Sequence, residues 1–264
     1  MRQHNRIKFS SCAFLPLAHL AVTFLSACGI DADTQEQTGE IASMTQNLSI
    51  KRTYDKNWAA KYALNSVYKV YGVDNPFKDY PATPSGYGYI GGNCTNFVSQ
   101  ALIGGFISSD NPATVYASRT DFAADKTSPL KWYWISDADR GDAWTGAANL
   151  YKYAANNKSD YKGAHFRPIT QDSKTTFMDV SLVDIGDVIF ADWGGDGSVN
   201  HSMLVTKIDT SVKADKTANS YNRIGITAQT DNVYYKSLAK INEETRYTAI
   251  FYVYRPTDYN PDGK

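Results

Sequence analysis

Apolar residues recur at helical spacing in three stretches of the chain. The first runs from Tyr54 to Tyr71 and ends before Gly72, and the second runs from Cys94 to Leu102 with Gly104-Gly105 as its expected stop. The third runs from Ala143 to Ala155. In each stretch the apolar positions gather near one face at 3.6 residues per turn. The pattern therefore predicts three helices in the first part of the chain.

The pattern changes character after residue 186. Short runs rich in Val, Ile and Tyr alternate there with turn residues, which is typical of β-strands. The predicted strands cover residues 187–191, 202–208, 223–230 and 247–255. Helices followed by strands predict an α+β fold in which N-terminal helices pack on a C-terminal antiparallel sheet. No internal repeat or domain boundary is evident between residues 53 and 257, so we expect one domain there.

The first 27 residues have the pattern of an export signal. Three basic residues precede an apolar stretch from Phe9 to Ala27, whose length and flanks do not require a membrane-spanning segment. The stretch ends in Leu25-Ser26-Ala27-Cys28, which resembles a bacterial lipobox. In lipoproteins with this motif the signal is cut before the cysteine, whose thiol is lipidated. We therefore predict a lipoprotein signal peptide over residues 1–27 and a lipid anchor at Cys28; the alternative is an ordinary secretory signal.

Residues 28 to 52 have the composition of a flexible tether. Four acidic residues but no Lys or Arg lie between Gly29 and Ile50, among Thr, Gln, Ser and Gly. No apolar period is sustained in this segment. We expect it to link the lipidated cysteine to the domain over residues 53–257, and we expect a short C-terminal tail over residues 258–264.

Charge and cysteine content exclude several functional classes. The 27 basic residues equal the 27 acidic ones in number, whereas nucleic-acid-binding proteins usually carry a basic surplus. Removal of the signal and lipidation of Cys28 would leave Cys94 as the only free thiol, which excludes an internal disulfide. His165 and His201 would then be the only histidines, too few for an ordinary structural zinc site. We expect a monomer with no nucleic-acid partner, no metal and no cofactor.

Cys94 is the first candidate for chemistry, because it begins the second predicted helix. Backbone amides at a helix N-terminus and the positive end of the helix dipole stabilise a thiolate. The glycines before it, Gly91 and Gly92, leave room for a substrate backbone. The alternative is a small buried side chain that only packs under the helix.

His201 is the second candidate, because it opens an apolar strand directly after a Gly-rich turn. At the rim of a sheet its imidazole would face the helix that carries Cys94. A thiol and an imidazole in that arrangement form the ion pair of a cysteine acyl-transfer enzyme. A surface histidine in a turn is the alternative. His165 lacks such a setting, and we interpret it as structural.

A series of motifs, in this order over residues 53 to 255, resembles the bacterial putative amidase domain family. They are Tyr54-Asp55, Asn75-Pro76, Gly91-Gly92-Asn93-Cys94-Thr95-Asn96-Phe97-Val98-Ser99-Gln100, Trp144-Thr145, Gly186-Asp187-Val188-Ile189 and His201-Ser202. Such domains look like members of the papain-like superfamily, which includes CHAP and NlpC-type cell-wall hydrolases. The resemblance implies a papain-like fold with Cys94 as nucleophile and His201 as base. We also predict Gly92, Asn93 and Trp193 as substrate-binding residues.

The chain departs from that family at two positions. Asn93 stands where the family usually has Asp, which removes a negative charge beside the thiol and eases its ionisation. In papain-like enzymes a residue from the next strand orients the histidine, and the family commonly reads Gln-His-Thr there. This chain reads Ala228-Gln229-Thr230-Asp231-Asn232. We predict Gln229 as the third catalytic residue, with Asp231 or Asn232 as alternatives if the strand register differs.

These features together predict a lipid-anchored bacterial envelope protein that hydrolyses an amide or peptide bond. The expected substrate is peptidoglycan, and the expected intermediate is a thioester on Cys94. Two alternatives stay open at this point. One is a non-catalytic envelope-binding module that does not need Cys94, and the other is a protease or deamidase that acts on proteins.

Overall fold

The computed structural model describes six ranges of the chain. These ranges are 50–71, 94–127, 130–136, 139–157, 160–229 and 233–263. The predicted signal peptide, Cys28, most of the tether and the residues Gly92, Asn93, Asp231 and Asn232 lie outside them. Within the described ranges, no helix combines the length and the apolar character needed to cross a membrane.

An antiparallel sheet organises the described residues. The strands in chain order are β1 Arg52–Thr53, β2 Trp134–Ser136, β3 Asp139–Arg140, β4 Gly163–Gln171, β5 Val188–Asp192, β6 His201–Ile208, β7 Ile224–Ala228, β8 Val233–Ser237 and β9 Ile250–Asn260. β4 pairs along one edge of β9, and β1 and β5 share its other edge. β6, β7 and β8 follow β5 in that order, while β2 and β3 form a separate hairpin.

Helices lie on both faces of this sheet. The α-helices in the described ranges are α1 Lys56–Tyr71, α2 Cys94–Ile107, α3 Pro112–Ala117, α4 Asp142–Thr145, α5 Ala147–Asn156 and α6 Leu238–Glu244. Short 3₁₀ segments occupy Ser118–Thr127, Val180–Leu182 and Ala218–Arg223. α1 and α2 pack on each other and on β6. The predicted α+β class, with N-terminal helices on an antiparallel sheet, is confirmed.

The central strands are buried on both faces. On β5, Val188 and Phe190 face the core to which α1, α2 and α5 contribute, whereas Ile189 and Ala191 face a second core. Successive residues of a strand point to opposite faces, so each face of β5 carries its own apolar set. The second core is closed by the 3₁₀ segments Val180–Leu182 and Ala218–Arg223 and by α6. Burial on both sides explains why four of the five residues of β5 are apolar.

The Tyr54-Asp55 and Gly186-Asp187 motifs fasten α1 to the sheet. Asp55 Oδ1 caps α1 by accepting a hydrogen bond from the backbone N–H two residues later at 2.9 Å. The Tyr54 hydroxyl donates to the Gly186 carbonyl at 2.9 Å. Gly186 has φ +82°, and a Cβ there would lie 2.6 Å from Lys56 Cβ, so this position requires glycine. Both motifs therefore have structural roles.

Asp187 also joins β9 to the start of β5. Its two carboxylate oxygens accept hydrogen bonds from Arg255 Nε at 2.7 Å and Arg255 Nη2 at 2.8 Å. The aspartate side chain is 1% exposed, whereas the arginine side chain is 24% exposed. The buried carboxylate therefore depends on this one arginine for its neutralising charge.

Two predicted helix boundaries are wrong. α2 does not end at Gly104-Gly105, because these glycines serve helix packing instead of termination. A Cβ on Gly105 would lie 2.4 Å from Tyr54 Cε2, and one on Gly104 would lie 3.1 Å from Tyr62 Cβ. The third predicted helix is divided in two at Gly146, whose backbone is extended with φ −108° and ψ 119°.

The sequence patterns do not predict β4, β8 or α6. His165 lies in β4, where its ring contacts Asp258 Oδ1 at 3.3 Å and the Tyr161 carbonyl at 2.9 Å. These contacts tie β4 to β9 and fit the structural role expected for His165. β9 continues to Asn260, so its pairing extends into the segment expected to be the C-terminal tail.

Candidate active site

Cys94 is the first residue of α2, and its buried thiol is not part of a disulfide. The residue is 3% exposed, and every residue of α2 from Cys94 to Phe106 is buried. α2 is therefore a central helix surrounded by other elements. Its N-terminal turn places the positive end of the helix dipole at the sulfur, which favours the thiolate.

β6 supplies the groups that face the sulfur. His201 is the first residue of β6, and hydrogen bonding and positive charge from its ring lower the pKa of the Cys94 thiol. The backbone N–H of Ser202 lowers this pKa as well. The hydroxyl oxygen of Thr95 lies 3.6 Å from Sγ. The structure thus brings together the two residues that the sequence predicts as nucleophile and base.

These contacts lower the pKa of the Cys94 thiol. Burial raises the pKa, because it penalises the charged thiolate. The hydrogen bond from His201, the positive charge of that ring, the Ser202 N–H and the Thr95 hydroxyl act in the opposite direction and together outweigh burial. The result is a pKa lowered from 9.0 to about 7. A large fraction of Cys94 is therefore ionised at neutral pH.

Polar residues on α2 fix the orientation of the helix about its own axis. Asn96 Oδ1 accepts hydrogen bonds from Trp144 Nε1 at 2.7 Å and from Gln100 Nε2 at 3.1 Å. Gln100 Oε1 in turn accepts from the Tyr62 hydroxyl of α1 at 2.7 Å. Each of these groups is buried, so the bonds replace contacts with water. The network fixes the direction in which the first turn of α2 points.

Ser99 completes this arrangement on another side of the helix. Its hydroxyl donates to the Trp144 carbonyl at 3.0 Å and accepts from Trp132 Nε1 at 3.0 Å. The two indole rings are stacked with centroids 5.3 Å apart. The polar residues of the cysteine-containing motif therefore position α2 through buried tryptophans and a tyrosine.

A family model described as a putative amidase domain matches residues 49–254 of the chain. The chain belongs to this family. No curated protein and no solved structure matches the chain. Membership supports a hydrolase that acts on amide C–N bonds. All the contacts around Cys94 described above lie within the matched part of the amidase domain.

Trp193 lies beside the catalytic candidates in this amidase domain. Its ring centroid is 5.1 Å from that of His201, with 34° between the ring planes. Phe251 of β9 packs against the same indole at 6.3 Å. Trp193 therefore contacts the imidazole directly, and its predicted contact with substrate stays a prediction.

Gln229 directly follows β7 and is 6% exposed. Leu204 of β6 pairs with Thr227 of β7, and the same register places Gln229 opposite Ser202. The amidase domain thus brings Gln229 to the strand end that carries His201. Its role as third catalytic residue stays a prediction, and its alternatives Asp231 and Asn232 lie outside the described residues.

The turn before His201 is held by Asp192. Its carboxylate accepts hydrogen bonds from the backbone N–H of Gly197 at 2.7 Å and of Asp196 at 3.3 Å. Gly195 and Gly197 have φ of +61° and +92°, values that glycine adopts readily. This turn therefore sets the position at which β6 and its histidine begin. The described ranges hold no group of three His, Cys, Asp or Glu side chains arranged for a metal ion.

The sequence analysis missed Thr95 and Ser202 as members of the site. Both side chains are fully buried, and each directly follows one of the two predicted catalytic residues. The signal available in the sequence was the repetition of one arrangement, a reactive residue followed by a hydroxyl residue, in Cys94-Thr95 and His201-Ser202.

Proposed function

We propose that this amidase domain is a cysteine-dependent hydrolase that cuts amide or peptide bonds through a thioester on Cys94. The observation that carries the proposal is the pKa of the Cys94 thiol, which is lowered to about 7 with His201 as the largest lowering contribution. A cysteine that only packed in a core would have its pKa raised by burial. The environment of Cys94 instead favours the charged form that attacks carbonyl groups.

The proposed reaction has two steps. Cys94 Sγ attacks the carbonyl carbon of the substrate, and the backbone N–H of Cys94 stabilises the oxyanion with a neighbouring donor. Protonated His201 gives its proton to the leaving nitrogen, the C–N bond breaks and a thioester is left on Cys94. Neutral His201 then takes a proton from water, and the resulting hydroxide attacks the thioester. The C–S bond breaks, which releases a carboxylic acid and restores the thiolate.

The proposed setting is the bacterial envelope. The export signal and the lipobox ending at Cys28 support a chain anchored by lipid to the cell membrane or the outer membrane. The resemblance to cell-wall hydrolases supports the peptide part of peptidoglycan as substrate. The proposed chemistry uses only side chains and water, so it requires no cofactor.

The first test measures the thiolate without a substrate. Alkylation of Cys94 in the full chain is followed from pH 5 to 10, and peptide mass spectrometry separates Cys94 from Cys12 and Cys28. We expect the rate to rise with a midpoint near pH 7 in the wild type and at the ordinary thiol value of 9.0 or above in His201→Ala. Ser198→Ala removes an exposed side chain three residues before His201 and is the matched control. A midpoint that His201→Ala leaves unchanged would contradict the proposal.

The second test identifies the bond that is cut. Purified peptidoglycan is incubated with the full chain and with Cys94→Ala, and the fragments are analysed by mass spectrometry. We expect new amine and carboxylate ends only with the wild type. Cleavage of protein substrates but not of peptidoglycan would favour a protease or deamidase. Binding of peptidoglycan by both proteins without cleavage would favour the non-catalytic module.

A further inference from the structure

The hydroxyl residues that follow Cys94 and His201 are bonded to each other. Ser202 Oγ donates a hydrogen bond to Thr95 Oγ1 at 3.1 Å, across 107 residues of sequence. Both residues are 0% exposed, so water does not compete for these groups. This bond links the first turn of α2 to the start of β6 directly beside the sulfur.

The direction of this hydrogen bond determines where the proton of Thr95 points. Because Thr95 Oγ1 accepts from Ser202, its own hydrogen must be donated to another atom. Cys94 Sγ lies 3.6 Å from Oγ1, and sulfur accepts hydrogen bonds at longer distances than oxygen because its radius is larger. The large majority of buried polar side-chain atoms are hydrogen-bonded, and a bond to a charged acceptor is stronger than a neutral one. The thiolate is therefore the acceptor that fits the Thr95 hydroxyl.

We propose that Thr95 is a catalytic residue that stabilises the Cys94 thiolate through its hydroxyl, and that Ser202 is a positioning residue that orients this hydroxyl by donating to it. No proton is transferred along this chain of hydrogen bonds. The inference rests on the proposed function, since it concerns the charge state of the nucleophile.

Other groups also lower the pKa of the thiol, and their effects must be distinguished from that of Thr95. His201 of β6 is the titratable side chain in contact with Cys94, and the Ser202 N–H and the Thr95 hydroxyl are neutral donors. A bond between Thr95 and Ser202 that only joined α2 to β6 would affect folding stability and leave the ionisation of Cys94 unchanged. The test must therefore measure the pH profile of the thiol as well as stability.

The experiment compares Thr95→Val, which keeps the side-chain shape but has no hydroxyl, with Thr95→Ser, which keeps the hydroxyl. Cys94 alkylation in the full chain is measured from pH 5 to 10, and thermal unfolding is measured in parallel. We expect Thr95→Val to slow alkylation at pH 6 by about threefold to tenfold, because one hydrogen bond to the thiolate is lost. We expect Thr95→Ser to restore the wild-type profile and all proteins to react equally at pH 10.

Ser202→Ala supplies a second and independent variant. It leaves the Thr95 hydroxyl in place but removes the Ser202 hydroxyl that donates to it. We therefore expect the pH profile of alkylation to shift in the same direction as in Thr95→Val, but by less. If Thr95→Val does not fold, Ser202→Ala and Thr95→Ser decide the question. A wild-type pH profile of alkylation in Thr95→Val would overturn the inference. If Thr95→Val does not fold, a wild-type pH profile in Ser202→Ala would overturn it.

The two proposals fail in different ways. If His201→Ala shifts the alkylation profile and Thr95→Val does not, the role of Thr95 is wrong and the cysteine hydrolase proposal stands. If His201→Ala leaves the profile unchanged, the hydrolase proposal itself is contradicted.

Discussion

Replacing Asp172 with asparagine tests whether a buried carboxylate weakens the fold at neutral pH. Asp172 follows β4 and is 7% exposed. The Tyr221 hydroxyl donates to its Oδ2 at 2.6 Å, and the backbone N–H of Phe251 donates to its Oδ1. Burial nevertheless raises the pKa of Asp172 to about 6, because the two hydrogen bonds offset only part of the lost solvation.

The magnitude follows from the difference between the folded and unfolded pKa values. An aspartate in an unfolded chain has a pKa of about 3.9, so the shift is about 2 units, or about 3 kcal/mol. Since the pKa is raised in the folded state, the protonated form stabilises the fold. This contribution is fully present below about pH 4 and is lost as the pH rises through 6. An asparagine is uncharged at every pH and does not show this loss.

The assay is urea unfolding of the full chain, followed by tryptophan fluorescence at pH 4, 5, 6 and 7. We expect the unfolding free energy of Asp172→Asn, relative to the wild type, to rise by up to about 3 kcal/mol between pH 4 and 7. The difference between the two proteins removes the contributions of all other titrating groups. Asp262→Asn changes an exposed carboxylate and is the control. A difference for Asp172→Asn that stays constant over this range would refute the reasoning.

Three further substitutions test packing, charge and the site. Gly105→Ala places a methyl group against the Tyr54 ring, and we expect thermal unfolding to show that the free energy of unfolding falls by about 1–3 kcal/mol. An unchanged melting temperature would contradict the close contact between Gly105 and Tyr54. Arg255→Leu leaves the buried carboxylate of Asp187 unpaired, and we expect chemical unfolding to show that the free energy of unfolding falls by about 3–5 kcal/mol. A fall of less than about 1 kcal/mol would mean that water already reaches that carboxylate. Trp193→Ala removes the ring that packs against His201, and we expect Cys94 alkylation at pH 6 to slow about fivefold, with partial recovery in Trp193→Phe. An unchanged alkylation rate would show that the indole does not position the imidazole.

Cys94 and His201 could be identified from the sequence because each stands in a recognisable local setting. Cys94 begins a helix, and His201 begins a strand directly after a turn. The sequence did not show which contacts fix the position of α2. An amphipathic pattern assumes that polar side chains face water, yet Asn96, Ser99 and Gln100 are buried with the apolar residues beside them. Their partners are two tryptophans and a tyrosine that lie far away in sequence. Such pairing depends on tertiary contacts that no local pattern contains.

The elements missed in the fold have comparable physical reasons. β4 contains Pro168, which ordinarily argues against a central strand. The strand tolerates this residue because it pairs only with β9 and leaves its other edge unpaired within the described sheet. Gly104 and Gly105 resemble a helix stop, but the close approach of α1 and α2 requires residues without a side chain at these positions. In both cases the neighbouring element decides what the local residues do.

The surroundings of Cys94 also make its lowered pKa a property of the native state. The groups that stabilise the thiolate come from positions 107 residues apart, so an unfolded chain carries only an ordinary thiol with a pKa of 9.0. Because ionisation is favoured in the folded chain, the thiolate stabilises the fold above pH 9.0, and this contribution is lost as the pH falls through about 7. We therefore expect the alkylation rate of Cys94 at neutral pH to change as the protein unfolds.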